Sequence, residues 1–217
     1  MIYALAHFLG GILLLCAFSL LSQRRLASMI SIYQFQALAL TAAAFWQGYA
    51  QSEINLYLTG AITLVIKAII LPIGLRQIVL RFNLTRAVDT AMPVGLSMIL
   101  GVALVGVAVL VVLPVTMKTM SLTREDLAIS LSVVLLGLLM MTTRRNALAQ
   151  VIGFLSTENG LVLAAIGMPG MPFVAELSVA LLVLMAFLVV GVFVFRLREH
   201  FESLDLRGIE EIERRGR

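Results

Sequence analysis

Cysteine is almost missing from this chain: Cys16 is the only one in 217 residues. A lone thiol can neither close a disulfide within the chain nor build a thiolate-held zinc or iron-sulfur site. Histidine is nearly as scarce, with His7 and His200 far apart and in no ligand-spaced motif. No catalytic, cofactor or metal site is therefore expected here, and any redox metal should belong to a partner. Charge is sparse too, since 13% of residues are charged against 61% hydrophobic. That balance excludes an ordinary water-soluble domain. Nor does the net charge of +4 point to nucleic acid, because the basic residues fall in short clusters between apolar runs and form topology signals rather than one basic face.

What is present is a series of apolar runs of about 20 residues, each long enough to cross a hydrocarbon core of about 30 Å as a helix. Seven are expected, near residues 2 to 22, 27 to 50, 54 to 75, 93 to 117, 126 to 142, 147 to 167 and 172 to 195. The fold class is therefore an all-α polytopic membrane bundle of seven transmembrane helices. Arg24 and Arg25, then Arg76, Arg81 and Arg86, then Arg144 and Arg145, then Arg196 and Arg198 fall on one side, which is the cytoplasmic one. The N-terminus is then outside and the C-terminus inside. The first span has no basic segment before it and reads as retained helix rather than a cleaved signal.

Three ionisable residues lie inside these runs. Such groups cost a few kcal/mol even on lenient insertion scales of roughly +2.5 to +3.5, so they face a bundle interior or a water path. Glu158 comes first. On its helix Asn146, Gln150, Gly153, Thr157, Gly160, Ala164 and Gly167 recur in steps of four and three, a small and polar stripe that should pack on another helix. Glu158 sits one residue off that stripe, either as a proton-handling group or as hydrogen-bonding glue. Lys67 is the second, midway along the third span with Gly60, Thr63 and Gly74 on its face. Pro72 lacks an N–H and leaves the Ala68 carbonyl unpaired, so a kink and a hydrated path are expected beside the lysine. Snorkelling to the interface and a structural ion pair are the alternatives. Glu176 is the third; Pro169, Gly170 and Pro172 enforce a hairpin before it and place it shallower than Glu158, either in the path or merely interfacial.

The remaining signals read as structure. Trp46 and Tyr49 suit an aromatic anchor at the outer interface, and no chemistry is assigned to Gln34 or Gln36 on the same span. Pro93 in the first turn of the fourth span and Gly95, Ser97, Gly101 and Gly106 along it read as packing sequence. Thr123 as N-cap with Asp126 three residues on makes a capping arrangement. The tail from Arg196 to Arg217 has six basic and six acidic residues, with Leu197, Phe201 and Leu204 on one helical face, and is expected to dock on a partner protein at the cytoplasmic surface.

Arg144-Arg145-Asn146, Ile152-Gly153-Phe154, Glu158-Asn159-Gly160 and Val174-Ala175-Glu176, with the earlier Ile66-Lys67-Ala68 to Leu71-Pro72 stretch, resemble component E of hydrogenase-4-type membrane complexes. The last three spans are similar to the K subunit of respiratory complex I and the C subunit of Mrp-type antiporters. The resemblance implies an N-terminal membrane extension over 1–125, a K-subunit-like segment over 126–197 and a cytoplasmic tail over 198–217. It further implies a non-catalytic membrane-arm subunit of a hydrogenase-4 or formate hydrogenlyase-type complex, in a bacterial or archaeal inner membrane. Its partners would be antiporter-like membrane subunits, a membrane-anchor subunit and hydrophilic iron-sulfur or hydrogenase-type subunits, with Glu158, Lys67 and Glu176 on a proton path. Glu158 lies about one turn farther from the arginine pair than in the K subunit, and the two glutamates are closer together. Other readings are a subunit of a cation/proton antiporter, a stand-alone secondary transporter, which should show an internal repeat that the halves lack, and a seven-helix retinal or receptor protein, whose lysine would need a nearby carboxylate.

Overall fold

The computed structural model of the protein describes residues 2–81, 88–115 and 121–167. Over these it is all-helical: α1 (Ile2–Ser22), α2 (Leu26–Gln51), α3 (Ile54–Ile62), a π-helical segment π1 (Thr63–Ile70), α4 (Leu71–Arg81), α5 (Val94–Val115), α6 (Ser121–Thr143) and α7 (Ala147–Ile166). Taken with α3, π1 and α4 as one continuous rod over Ile54–Arg81, six helices are long and apolar enough to cross a membrane. Helices are the form expected there, because each satisfies its backbone internally where water is absent. The expected spans up to residue 167 match these helices, while the seventh span, the Pro169–Pro172 hairpin, Glu176 and the tail lie outside the described residues.

Three boundaries differ from the sequence reading. The third rod runs on to Arg81, so Lys67 is 14 residues, or about 21 Å at the helical rise, from its arginine end. Helix α6 begins at Ser121, which puts Thr123 inside the helix instead of at its N-cap. Asp126 therefore has a different partner: its Oδ1 lies 2.8 Å from His7 Nδ1 on α1. Pro93 stands just before α5, with its carbonyl accepting from the Ser97 N–H at 3.1 Å.

The core is built around α7, of which 72% is buried, whereas only 17% of the apolar stretch of α5 is. The small and polar stripe of α7 accounts for its closest neighbour. A Cβ at Gly160 would lie 2.9 Å from the Val134 nitrogen, one at Gly153 3.1 Å from the Gly137 carbonyl oxygen, and one at Gly137 would collide with Thr157. Side chains that small let α6 and α7 meet backbone to backbone. On α5 only Gly101 makes such a contact, 2.9 Å from Leu136; Gly95 and Gly106 face open space, so its glycines are not a continuous packing stripe as expected. Helices α1 and α2 pack against α6 and α7, so segments on both sides of residue 125 share one core.

At one end the loops are stitched together. Val88 N–H donates to the Arg24 carbonyl (2.7 Å), Ala91 N–H to Thr143 (2.9 Å) and Arg145 N–H to Asp89 (3.2 Å). Arg144 is buried and its Nη2 donates to the Leu21 carbonyl at 2.5 Å, satisfying an orphan acceptor at the C-terminus of α1. Burial and the neighbouring Arg24 push this guanidinium down from its ordinary range, yet arginine stays charged in proteins. The arginine clusters at 24–25, 76–81 and 144–145 thus share one end of the bundle.

Candidate functional site

Glu158 is where the two faces of α7 divide. The Gly153, Thr157, Gly160 face meets α6, and the face carrying Ser156, Glu158 and Asn159 turns to α2 and π1. Asn146 starts the helix that positions them: its side-chain oxygen accepts from the N–H groups of Leu148 (2.9 Å) and Ala149 (3.4 Å), a standard N-cap.

Lys67 comes from the opposite wall, on π1. There the backbone bonds reach back five residues, as in the Leu71 N–H to Ile66 carbonyl contact. Wider turns of this kind are rare and concentrate at functional sites. One effect is a change of register: Gly60, Thr63 and Lys67 face inward, Gly60 against Phe45, while Gly74 beyond the π turn meets nothing within 4 Å. The expectation of one continuous face through Gly74 is corrected by that rotation. The other effect concerns Pro72. The Ala68 carbonyl, which a proline at position 72 cannot serve, accepts from Gln34 Nε2 at 3.0 Å. Gln34 Oε1 in turn accepts from Arg76 Nη2 at 3.0 Å.

The three elements converge on an ion pair. Lys67 Nζ lies 2.8 Å from Glu158 Oε1, and both side chains are 1% exposed. The ammonium also donates to Asn159 Oδ1 at 3.1 Å. Asn159 Nδ2 donates to Gln36 Oε1 at 3.3 Å, and Gln36 Nε2 donates to Ser156 Oγ at 3.1 Å and the Leu13 carbonyl at 3.2 Å. Four helical elements are thereby joined by one buried polar network. Lys67 does not snorkel; its charge is spent inside the bundle. Two groups stand apart from the network: the Tyr33 hydroxyl and Glu158 Oε2 are buried and make no hydrogen bond among the described residues.

Of the residues singled out in the sequence, Lys67 and Glu158 are brought together, and Glu176 lies outside the described residues. Gln36, Asn159, Tyr33 and Gln34 were not singled out. An uncharged amide in an apolar run is cheap enough to pass as packing, and only its spacing from Tyr33 on α2 hinted at a polar face. No group of three or more His, Cys, Asp or Glu side chains suited to a metal occurs among the described residues.

Compared with known proteins, the chain is 30% identical over 214 residues, 96% of its length and 96% of the relative's, to the uncharacterized protein Rv0085 of Mycobacterium tuberculosis. No family model matches the chain, and no solved structure matches it.

Proposed function

The chain belongs to the same family as the mycobacterial protein Rv0085, and we propose that it is a non-catalytic, proton-conducting subunit in the membrane arm of an energy-converting complex of the hydrogenase-4 or formate hydrogenlyase type. One observation carries this reading: an ion pair of 2.8 Å with both partners 1% exposed, held in a bundle whose exterior is apolar. Burying two charges is expensive, and a well-packed apolar pair would commonly be more stable by about 1–4 kcal/mol. A stability role alone is a poor account of such a pair.

The chemistry it offers is proton exchange. Moving one proton from the ammonium to the carboxylate turns the ion pair into a neutral amine and a neutral acid, with no change in net charge. The interior therefore tolerates both forms, and an electric field or a charge arriving from a neighbouring subunit can select between them. Asn159 and Gln36 fix the geometry, the first by accepting from the ammonium and the second by anchoring Asn159 to α2. The π turn gives the lysine-bearing wall a place to shift without breaking the rod.

Glu158→Gln tests the reading, since it keeps size and hydrogen bonding and removes the titrating proton. Complexes carrying it should assemble, while redox-driven proton translocation in proteoliposomes falls severely. Normal pumping at matched redox turnover would make Glu158 structural glue. Purification in mild detergent adds a second arm: antiporter-like and iron-sulfur subunits should co-purify, and a lone monodisperse protein with transport activity would defeat the proposal. We place the arginine end of the bundle in the cytoplasm. A cysteine probe at Ser52, on the opposite end, should react with an impermeant reagent from outside and one at Arg25 should not, in a chain whose Cys16 has been replaced.

A further inference from the structure

Resting on that reading, a question follows about how a proton reaches Glu158. The hydrogen-bonded route through Asn159 and Gln36 is made of carboxamides, which hold geometry and carry no titrating proton. Oε1 is already engaged by Lys67. What is left is Oε2, buried without a hydrogen bond, and the Tyr33 hydroxyl on α2, buried in the same condition. Tyr33 is fully buried and within electrostatic reach of Glu158. Buried polar atoms in folded proteins have partners, and where the protein supplies none an ordered water does.

We propose that Tyr33 and Glu158 form a water site: one water molecule is held by the Tyr33 hydroxyl and Glu158 Oε2, and through it protons enter and leave the carboxyl group. The Lys67 ammonium has three N–H donors, two of them directed at Glu158 and Asn159, so the third completes the set of two to four polar partners that a buried water needs. The step balances simply. An excess proton on the held water passes to Oε2 of the carboxylate, leaving a neutral water and a neutral carboxyl group; the reverse transfer returns it. Tyr33 keeps its own proton throughout and is a positioning residue.

Radiolytic hydroxyl-radical labelling in 18O water tests this without reference to pumping, because a buried side chain is labelled only where a bound water lies beside it. In the intact complex, Tyr33 should label at a rate approaching that of Tyr49, which is 67% exposed, while Met29, 0% exposed, stays protected. Tyr33→Phe removes an oxygen that bonds no described protein group, so the fold is expected to persist. In that variant, labelling of the peptide from Ser156 to Asn159 should drop several-fold, and proton uptake should slow several-fold at unchanged assembly. Tyr33 as protected as Met29, or labelling of Ser156 to Asn159 unchanged by Tyr33→Phe, overturns the water site. Either result leaves the Glu158→Gln outcome, and with it the proton-conducting reading, to stand or fall separately.

Discussion

Two acid-base contacts in this protein have the same length and opposite surroundings. His7 and Asp126 approach to 2.8 Å near the ends of α1 and α6, with side chains 22% and 19% exposed. Lys67 and Glu158 also approach to 2.8 Å, in the middle of the bundle, at 1% each. Distance cannot separate them, and solvent can. When one partner is removed at the bundle end, water takes its place. In the centre the survivor keeps a charge that nothing else compensates. The same contrast runs through the backbone: Gln51 Nε2 donates to the Ile166 carbonyl at 3.0 Å beside a helix terminus, and Gln34 Nε2 donates to the Ala68 carbonyl at 3.0 Å in mid-span.

The sharpest way to break the comparison is Lys67→Met. Removing one partner of a buried pair typically costs about 3–5 kcal/mol, because an uncompensated charge stays behind. Thermal unfolding in detergent should show the largest loss of any single change considered, and the double variant Lys67→Met, Glu158→Gln should recover much of it. Additive losses in that double-mutant cycle would mean that the two groups are not energetically coupled. A smaller effect is expected from Gln34→Leu, which leaves a buried mid-span carbonyl unserved at about 1–3 kcal/mol. Gln51→Leu should cost less, since the Ile166 carbonyl sits in the last turn of α7, where orphan acceptors find water. Equal losses for the two glutamines would show that the bundle end is as dry as its centre.

How much of this was legible follows from what each signal costs. The spans could be read to within a few residues because a membrane helix must be apolar along its whole length, and Lys67 and Glu158 stood out because charge in such a run is expensive. Their pairing could not be read, since it joins residues on helices far apart in sequence and depends on which helices pack. The cation suggested for Glu158 was Lys67, but no spacing rule reaches across that separation. Pro72 marked the unpaired Ala68 carbonyl; the π turn before it and the Gln34 side chain that answers it left no pattern of their own. Gln36 and Asn159 were overlooked for the same physical reason that they suit the site: neutral amides can be buried cheaply once each is paired. Thr123 and Asp126 misled because a capping pattern is local, and α6 gains another turn ahead of it.

The smallest predicted effect belongs to the exposed pair. With His7 neutral the contact is an ordinary hydrogen bond, worth about 0.5–1.5 kcal/mol net; with His7 charged it is a partly solvated ion pair, for which about 0–1 kcal/mol is typical. Either way the Asp126 carboxylate can be rehydrated when the imidazole is cut back, because a fifth of it already meets solvent. His7→Ala should therefore lower thermal stability only slightly, and salt should shrink the difference further if the pair is ionic. Proton translocation at matched turnover should be unchanged, in contrast to Glu158→Gln. A loss from His7→Ala as large as that from Lys67→Met would reverse the argument, since it would mean that the 2.8 Å spacing, and not the absence of water around it, decides what an acid-base pair is worth in this bundle.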